Sequence, residues 1–221
     1  MTMASSIRNA RSTIDQPMVW VAAGATAVWL AVTGIAGARG AFLSSPSQPP
    51  VLLLLAILTP PLVFAGAYRW STRWRSFALS IDPRWLIAVQ GWRVVGVMFF
   101  VLYIYGLLPG LFAYPAGLGD LAVGLSAPFV MLAMAQATPG WRRQVLWLNI
   151  AGLTDFFVAV ATGALTSTSA IGFFVDPDAR ASMGELPLSL IPTFAVPLWI
   201  VIHALSLLQL ARHRRDDSLL G

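Results

Sequence analysis

The stretch NIAGLTDFFVAVATG, residues 149–163, decides the fold class because it places a carboxylate, Asp155, inside an otherwise apolar run. The run extends over 145–165, and about 20 apolar residues in a helix cross the hydrocarbon core of a membrane. A charge at the bilayer centre costs about 2.5–3.5 kcal/mol, so it must face the helix bundle or a water-filled cavity and is a functional candidate by default. We therefore expect Asp155 to be either paired or protonated.

The composition of the whole chain favours a multi-spanning membrane protein. Of its 221 residues, 57% are hydrophobic and 10% are charged, whereas a soluble domain carries about 25% charged residues. The sequence has no Cys and no Lys, which excludes disulfides, thiolate metal sites, cysteine nucleophiles and Schiff-base lysines. All 14 basic residues are Arg, and most lie at the ends of apolar runs. That placement is typical of membrane proteins and argues against a nucleic-acid partner.

The apolar runs predict an all-α fold, a polytopic transmembrane helical bundle with six spans. The six runs that are long enough to span are 18–37, 50–68, 86–108, 116–136, 145–165 and 187–210. They form one transmembrane domain over 18–210. A cytoplasmic tail, 1–17, precedes it, and a tail of basic and acidic residues, 211–221, follows it.

The arginines predict the orientation of the bundle. Eleven of them lie in the two tails and in the second-to-third and fourth-to-fifth connections. Only Arg39 and Arg180 lie on the opposite side, and Arg93 lies within a span. Because arginine accumulates on the cytoplasmic side, both termini are expected in the cytoplasm, which agrees with an even number of spans.

Polar side chains inside the predicted spans form the candidate site, which is expected to bind a substrate or a proton. They are Gln90, Arg93, Asp120, Asn149, Asp155 and His203. The helix rise of about 1.5 Å per residue puts most of them at a similar depth, with Asp120 nearer the outer side. Asn149 and Asp155 share a helix face with Gly152 between them. Small residues of this kind let helices approach closely.

Each of these residues also has a structural interpretation. Arg93 and Asp155 could form a static pair that fixes helix packing, and Asn149 could hydrogen-bond between helices without touching a ligand. His203 is expected to be a hydrogen-bonded core histidine rather than a metal or haem ligand, since the only other histidine lies in the basic tail. Neither a metal nor any other cofactor is expected.

Prolines indicate how two of the helices are shaped. Pro115 or the residue after it is expected to begin the fourth helix, so Asp120 would lie near a helix start and could cap backbone amides. Three prolines precede His203 in the last predicted span. They are expected to kink that helix and to direct His203 towards Arg93 and Asp155, which would create a polar pocket.

The segment YRWSTRWRSFALSIDPRWL, residues 68–86, interleaves arginine with tryptophan. Its basic side chains are Arg69, Arg73, Arg75 and Arg84. They could bind anionic lipid, or they could belong to an aromatic belt with arginines that extend to the membrane surface. The bilayer itself is the expected partner, and association into a homo-oligomer stays open.

Four segments resemble a family of uncharacterised bacterial six-helix integral membrane proteins. They are QGWR at 90–93, LPGLFAYPAGLGD at 108–120, NIAGLTD at 149–155 and IPTFAVPLWIVIHALSLLQL at 191–210. The resemblance covers roughly the last four spans and supplies no reaction. It implies a multi-pass protein of the bacterial cytoplasmic membrane.

Three functional hypotheses follow from the sequence. The first is a small transporter or proton-linked module that uses Asp120, Asp155 and His203 as titratable groups. The second is a structural or accessory subunit whose buried polar groups only lock the bundle. The third is a membrane-embedded enzyme that modifies a lipid, although the sequence contains no HExxH or GxSxG motif.

Overall fold

The computed structural model describes residues 15–43 and 45–220, with side chains as far as Arg212. Within this part of the chain, six helices are long and apolar enough to cross a membrane. The prediction of an all-α bundle with six spans is therefore confirmed. The predicted N-terminal tail up to residue 14 lies outside the described residues, as do the side chains of the C-terminal tail after Arg212.

The first, second, fourth and fifth spans are single helices, whereas the third and the last contain other helical geometry. The helices are α1 (Gln16–Ala38), α2 (Val51–Trp70), α3 (Thr72–Ser80), α4 (Pro83–Ala88), α5 (Val97–Ile104), α6 (Gly110–Ala135), α7 (Trp141–Leu165) and α8 (Val196–Leu220). A 3-10 segment, Val89–Gly96, joins α4 to α5, so that the third span runs over Pro83–Ile104. A π-helical turn, Ile191–Ala195, precedes α8.

Local sequence explains several helix starts. The side chain of Asp15 accepts from the Met18 amide and caps α1, and Asp82 accepts from the Arg84 amide and caps α4. Between α2 and α4 the sequence predicts only a connection, but the structure contains α3 there, capped by Ser71.

The expected start of the fourth span is wrong. Helix α6 begins at Gly110, directly after Pro109, and Pro115 lies inside it. A proline at this position frees one carbonyl group close to the helix start, and membrane helices tolerate such an interruption. Asp120 is therefore the eleventh residue of α6, about three turns from the helix start, and does not cap it.

The polar residues lie between two apolar clusters. One cluster contains Ile87, Val123, Val145, Leu148 and Leu210. The other contains Phe99, Leu108, Phe112, Ala113 and Ala116. On the third, fourth and fifth spans the candidate residues fall between members of the two clusters, so the site lies at mid-depth in the bundle.

Three connections meet at one end of the bundle, which we call the loop end. The Ala170 amide donates to Gln48 across 3.2 Å. The amides of Arg180 and Ala181 donate to Gly106 and Leu107, each across 3.0 Å. These bonds join the α1–α2, α5–α6 and α7–α8 connections, as expected for consecutive antiparallel spans. The side of the membrane on which the loop end lies stays a prediction from the arginine distribution.

Candidate functional site

Arg93 is the centre of the site. Its Nε donates to Asp120 Oδ1 across 2.7 Å, and its Nη2 donates to Asp155 Oδ2. Its Nη1 lies 3.2 Å from His203 Nε2. Arg93 is only 4% exposed, so a buried cation joins three other helical elements through three different nitrogens. We call Arg93, Asp120, Asp155 and His203 the charged cluster.

An aromatic ring covers the guanidinium. The Arg93 carbon that carries the three nitrogens lies 4.1 Å from the centroid of the Phe156 ring, a cation–π geometry. The same ring meets His203 edge to face at 5.8 Å. Phe156 therefore excludes other groups from one face of Arg93 and holds the imidazole beside it.

The hydrogen bonds define the state of His203. Asn149 Nδ2 donates to the Val145 carbonyl across 2.8 Å and to Ser206 Oγ across 3.0 Å, which fixes the amide orientation. Asn149 Oδ1 therefore accepts from His203 Nδ1, 2.8 Å away. His203 Nε2 is left to accept from Arg93, so the imidazole is neutral with its proton on Nδ1. The Nε2 lone pair of His203 is therefore engaged by Arg93, and the part of His203 in any proton transfer stays a prediction.

Glycines allow the elements to approach closely enough for these contacts. A Cβ atom on Gly152 would overlap the imidazole of His203 and Nη1 of Arg93. A Cβ atom on Gly119 would overlap the Asp155 carboxylate, and one on Gly96 would overlap Asp120. Each of the three partners of Arg93 thus packs against a glycine of another helical element.

The 3-10 segment places Arg93 against α6. With three residues per turn, Gln90, Arg93 and Gly96 line up on one face, and all three are buried. Gln90 is fully buried, yet neither atom of its amide has a hydrogen-bond partner within the described residues. The structure therefore places Gln90 next to the cluster without joining it to the hydrogen-bond network.

A cavity of about 140 Å³ leads from the loop end to the charged cluster. Asp120 and Asp155 line its inner part, and Phe99, Phe112 and Phe156 contribute to its walls. Residues from the α7–α8 connection, including Asp176, line the outer part. Arg93 and His203 lie behind the carboxylates and do not line the cavity.

Each carboxylate has one oxygen that is not engaged with Arg93. Asp120 Oδ2 and Asp155 Oδ1 accept no hydrogen bond from any described residue. Because both residues line the cavity, a donor group that enters it can reach the carboxylates directly.

The structure brings together five of the six candidates, and Gln90 is the exception. Sequence reasoning missed Ser206, Phe156 and the connection residues that line the cavity. Ser206 carried a weak signal, since it follows His203 by one helical turn in an apolar run. An aromatic residue next to an intramembrane carboxylate carries no comparable signal, because most aromatic residues in spans face lipid.

The arginines of the 68–86 segment are mostly engaged with the protein itself. Arg73 pairs with Asp15 at 2.8 Å, and Arg84 pairs with Asp82 at 2.7 Å. The hydrogen bond from Arg73 holds the pKa of Asp15 below its ordinary value, and Arg84 lowers the pKa of Asp82 in the same way. These pairs connect α3 to the start of α1 and stabilise the start of α4.

The fold and the site together define a multi-pass helical membrane protein with a buried charged cluster at the base of a cavity. Residues 49–211 match the family described as Domain of unknown function (DUF8737), and the chain belongs to that family. The match covers the last five spans and includes every residue of the charged cluster. No curated protein and no solved structure matches the chain.

Proposed function

We propose that the protein is a small transporter or proton-linked module, and that the charged cluster is its binding site. The observation that supports this most is the position of Asp120 and Asp155 at the base of a cavity that is open at the loop end. On the far side of the cluster, the apolar side chains packed around Ile87, Val145 and Leu210 fill the bundle. A carrier exposes its binding site to one side of the membrane at a time. A cavity that reaches the carboxylates from the loop end alone is the arrangement expected for one such state.

The charges of the cluster support a link to protons. Arg93 carries one positive charge, whereas two carboxylates face it and the imidazole is neutral in this network. The groups therefore carry one net negative charge when both carboxylates are ionised. An uncompensated charge in a low-dielectric interior is costly, and one proton on Asp120 or Asp155 removes it.

Proton flux in proteoliposomes tests the proposal. We expect an imposed pH gradient to produce flux in the wild-type protein, measured with a trapped pH-sensitive dye, and expect Asp155→Asn to abolish it. Asp178→Asn is the matched control, because Asp178 is exposed in the α7–α8 connection and does not line the cavity. Leak-level flux in both wild type and Asp155→Asn contradicts a proton-linked function.

The second candidate is a structural or accessory subunit, and the three-nitrogen engagement of Arg93 favours it. A guanidinium that ties together the third span, α6, α7 and α8 could serve only to fix helix packing. Thermal melting separates the two functions. If Arg93→Gln and Asp155→Asn destabilise the bundle but leave flux unchanged in the folded fraction, the cluster is structural.

We also propose that the protein lies in the bacterial cytoplasmic membrane with both termini inside. The arginine distribution supports this orientation. In that orientation the loop end, and with it the opening of the cavity, faces away from the cytoplasm.

Anionic lipid is a proposed partner at the opposite end of the bundle. Arg75 donates to the Tyr68 and Arg69 carbonyls, but no described residue pairs with the Arg69 side chain. Arg69 lies at an apolar groove between α2 and α8 that is lined by Phe64 and Leu208. An acyl chain in the groove would place a lipid phosphate near Arg69.

A further inference from the structure

We propose that the cavity binds a small organic cation, an ammonium group on an apolar body, at the unengaged oxygens of Asp120 and Asp155. This rests on the proposed function and names the substrate class of the same site. The site is more than a group of acidic residues, because Asp155 lines the cavity, is only 8% exposed and has one carboxylate oxygen without a hydrogen-bond partner among the described residues.

The charges that line the cavity select a cation. Three lining residues, Asp120, Asp155 and Asp176, are acidic, and within the described part of the chain no lining residue is basic. Each of the three nitrogen groups of Arg93 already has a partner, and Arg93 does not reach the cavity. An anion would therefore meet only carboxylate oxygens, which accept hydrogen bonds and repel it.

The walls of the cavity select an apolar body. Phe99 and Phe112 meet edge to face with ring centroids 5.3 Å apart, and both line the cavity together with Phe156. Aromatic faces attract an ammonium group and also pack against hydrocarbon. The volume of about 140 Å³ limits the ligand to a small molecule.

A bound cation and a bound proton exclude each other. The charged and titratable groups that face Asp155 are Arg93 on the 3-10 segment, Asp120 on α6 and His203 on α8. With both carboxylates ionised and His203 neutral, these groups together carry one net negative charge. Either a bound ammonium group or a bound proton neutralises that charge. Release of one on arrival of the other is the exchange that a proton-coupled carrier of cations requires.

Binding of benzylammonium to the full chain in lipid nanodiscs, measured by isothermal titration, tests the inference. Benzyl alcohol and benzoate are neutral and anionic probes of matched shape. We expect benzylammonium to bind at neutral pH, and Asp120→Asn or Asp155→Asn to weaken it by about tenfold or more. Asp178→Asn is expected to bind like wild type, and mild acid is expected to weaken binding.

Ala159→Leu keeps every charge and fills the cavity, since Ala159 lines it one helical turn from Asp155. We expect this variant to lose benzylammonium binding, so the test remains decisive if the aspartate variants do not fold. The inference is overturned if benzoate or benzyl alcohol binds as tightly as benzylammonium, or if benzylammonium does not bind. It is also overturned if folded Asp120→Asn, Asp155→Asn and Ala159→Leu bind benzylammonium like wild type. Proton flux without benzylammonium binding would contradict the inferred substrate class but not the proposed transport. Benzylammonium binding with leak-level proton flux would contradict the proposed transport but not the cation site.

Discussion

Asp120 on α6 and Asp155 on α7 share a single guanidinium, that of Arg93, with one carboxylate on Nε and the other on Nη2. Neither carboxylate can therefore change its charge or position without changing the electrostatic environment of the other. The relationship makes Arg93 both the packing centre of the bundle and the group that sets the charge at the base of the cavity.

Removal of Arg93 is expected to destabilise the bundle strongly. Arg93→Gln leaves the buried carboxylate of Asp155 and the partly buried one of Asp120 without a cation. Loss of one partner of a buried ion pair costs about 3–5 kcal/mol. Arg93→Lys is expected to recover only part of this loss, because an ammonium cannot engage two carboxylates and an imidazole in one plane. Thermal melting in detergent measures the effect, with Arg180→Gln in an exposed connection as the control. Equal melting temperatures for Arg93→Gln and wild type would contradict this account.

A methyl group at Gly152 is expected to disrupt the cluster. Gly152→Ala places a Cβ atom against His203 and Arg93, and overpacking of this kind costs about 1–3 kcal/mol. Gly34→Ala is the matched control, because a Cβ atom there has no neighbour within 4 Å. It is expected to be neutral or slightly stabilising, since alanine is the better helix former. If both variants melt alike, the close packing across Gly152 is not a source of stability.

The state of His203 is directly observable. Nitrogen-15 NMR of histidine-labelled protein is expected to show Nδ1 protonated and Nε2 unprotonated, because Asn149 accepts from the first and Arg93 donates to the second. In Asn149→Leu the Nδ1 proton loses its acceptor, and an unsatisfied buried donor costs about 1–3 kcal/mol. A wild-type spectrum with the proton on Nε2 would contradict this network, because the guanidinium of Arg93 has only donors and cannot accept a hydrogen bond from Nε2.

Hydropathy predicted the number and nature of the spans because each crossing needs its own long apolar run. The energetic cost of intramembrane charge likewise pointed to Arg93, Asp120 and Asp155 before any contact was known. The 3-10 geometry around Arg93 was not predictable, since it depends on contact with α6 and not on local propensity. The start of α6 at Gly110 was missed because proline is common at the first position of a helix. Nothing in the local sequence shows that Pro115 lies inside the helix instead.

The Asp15–Arg73 pair is expected to respond to acid. The ordinary pKa of 3.8 for this carboxyl is lowered in the folded protein by Arg73, so the pair stabilises the fold above that value. The contribution is lost as the pH falls through the lower pKa of the folded state. Asp15→Asn and wild type are therefore expected to differ slightly in melting temperature at neutral pH and to converge in strong acid. A difference that grows on acidification would contradict the sign of this effect.

The side from which a ligand reaches Asp155 depends on orientation, and single cysteine variants of this cysteine-free chain test it. Asp178 is exposed at the loop end, and Gln136 is exposed in the α6–α7 connection at the opposite end. Because the arginine excess lies with Gln136, Asp178→Cys is expected to react with an impermeant maleimide added to intact cells, and Gln136→Cys only after lysis. The reverse pattern would place the opening of the cavity in the cytoplasm. The charged cluster would be unchanged, but in this conformation the proposed cation would then reach Asp155 from inside the cell.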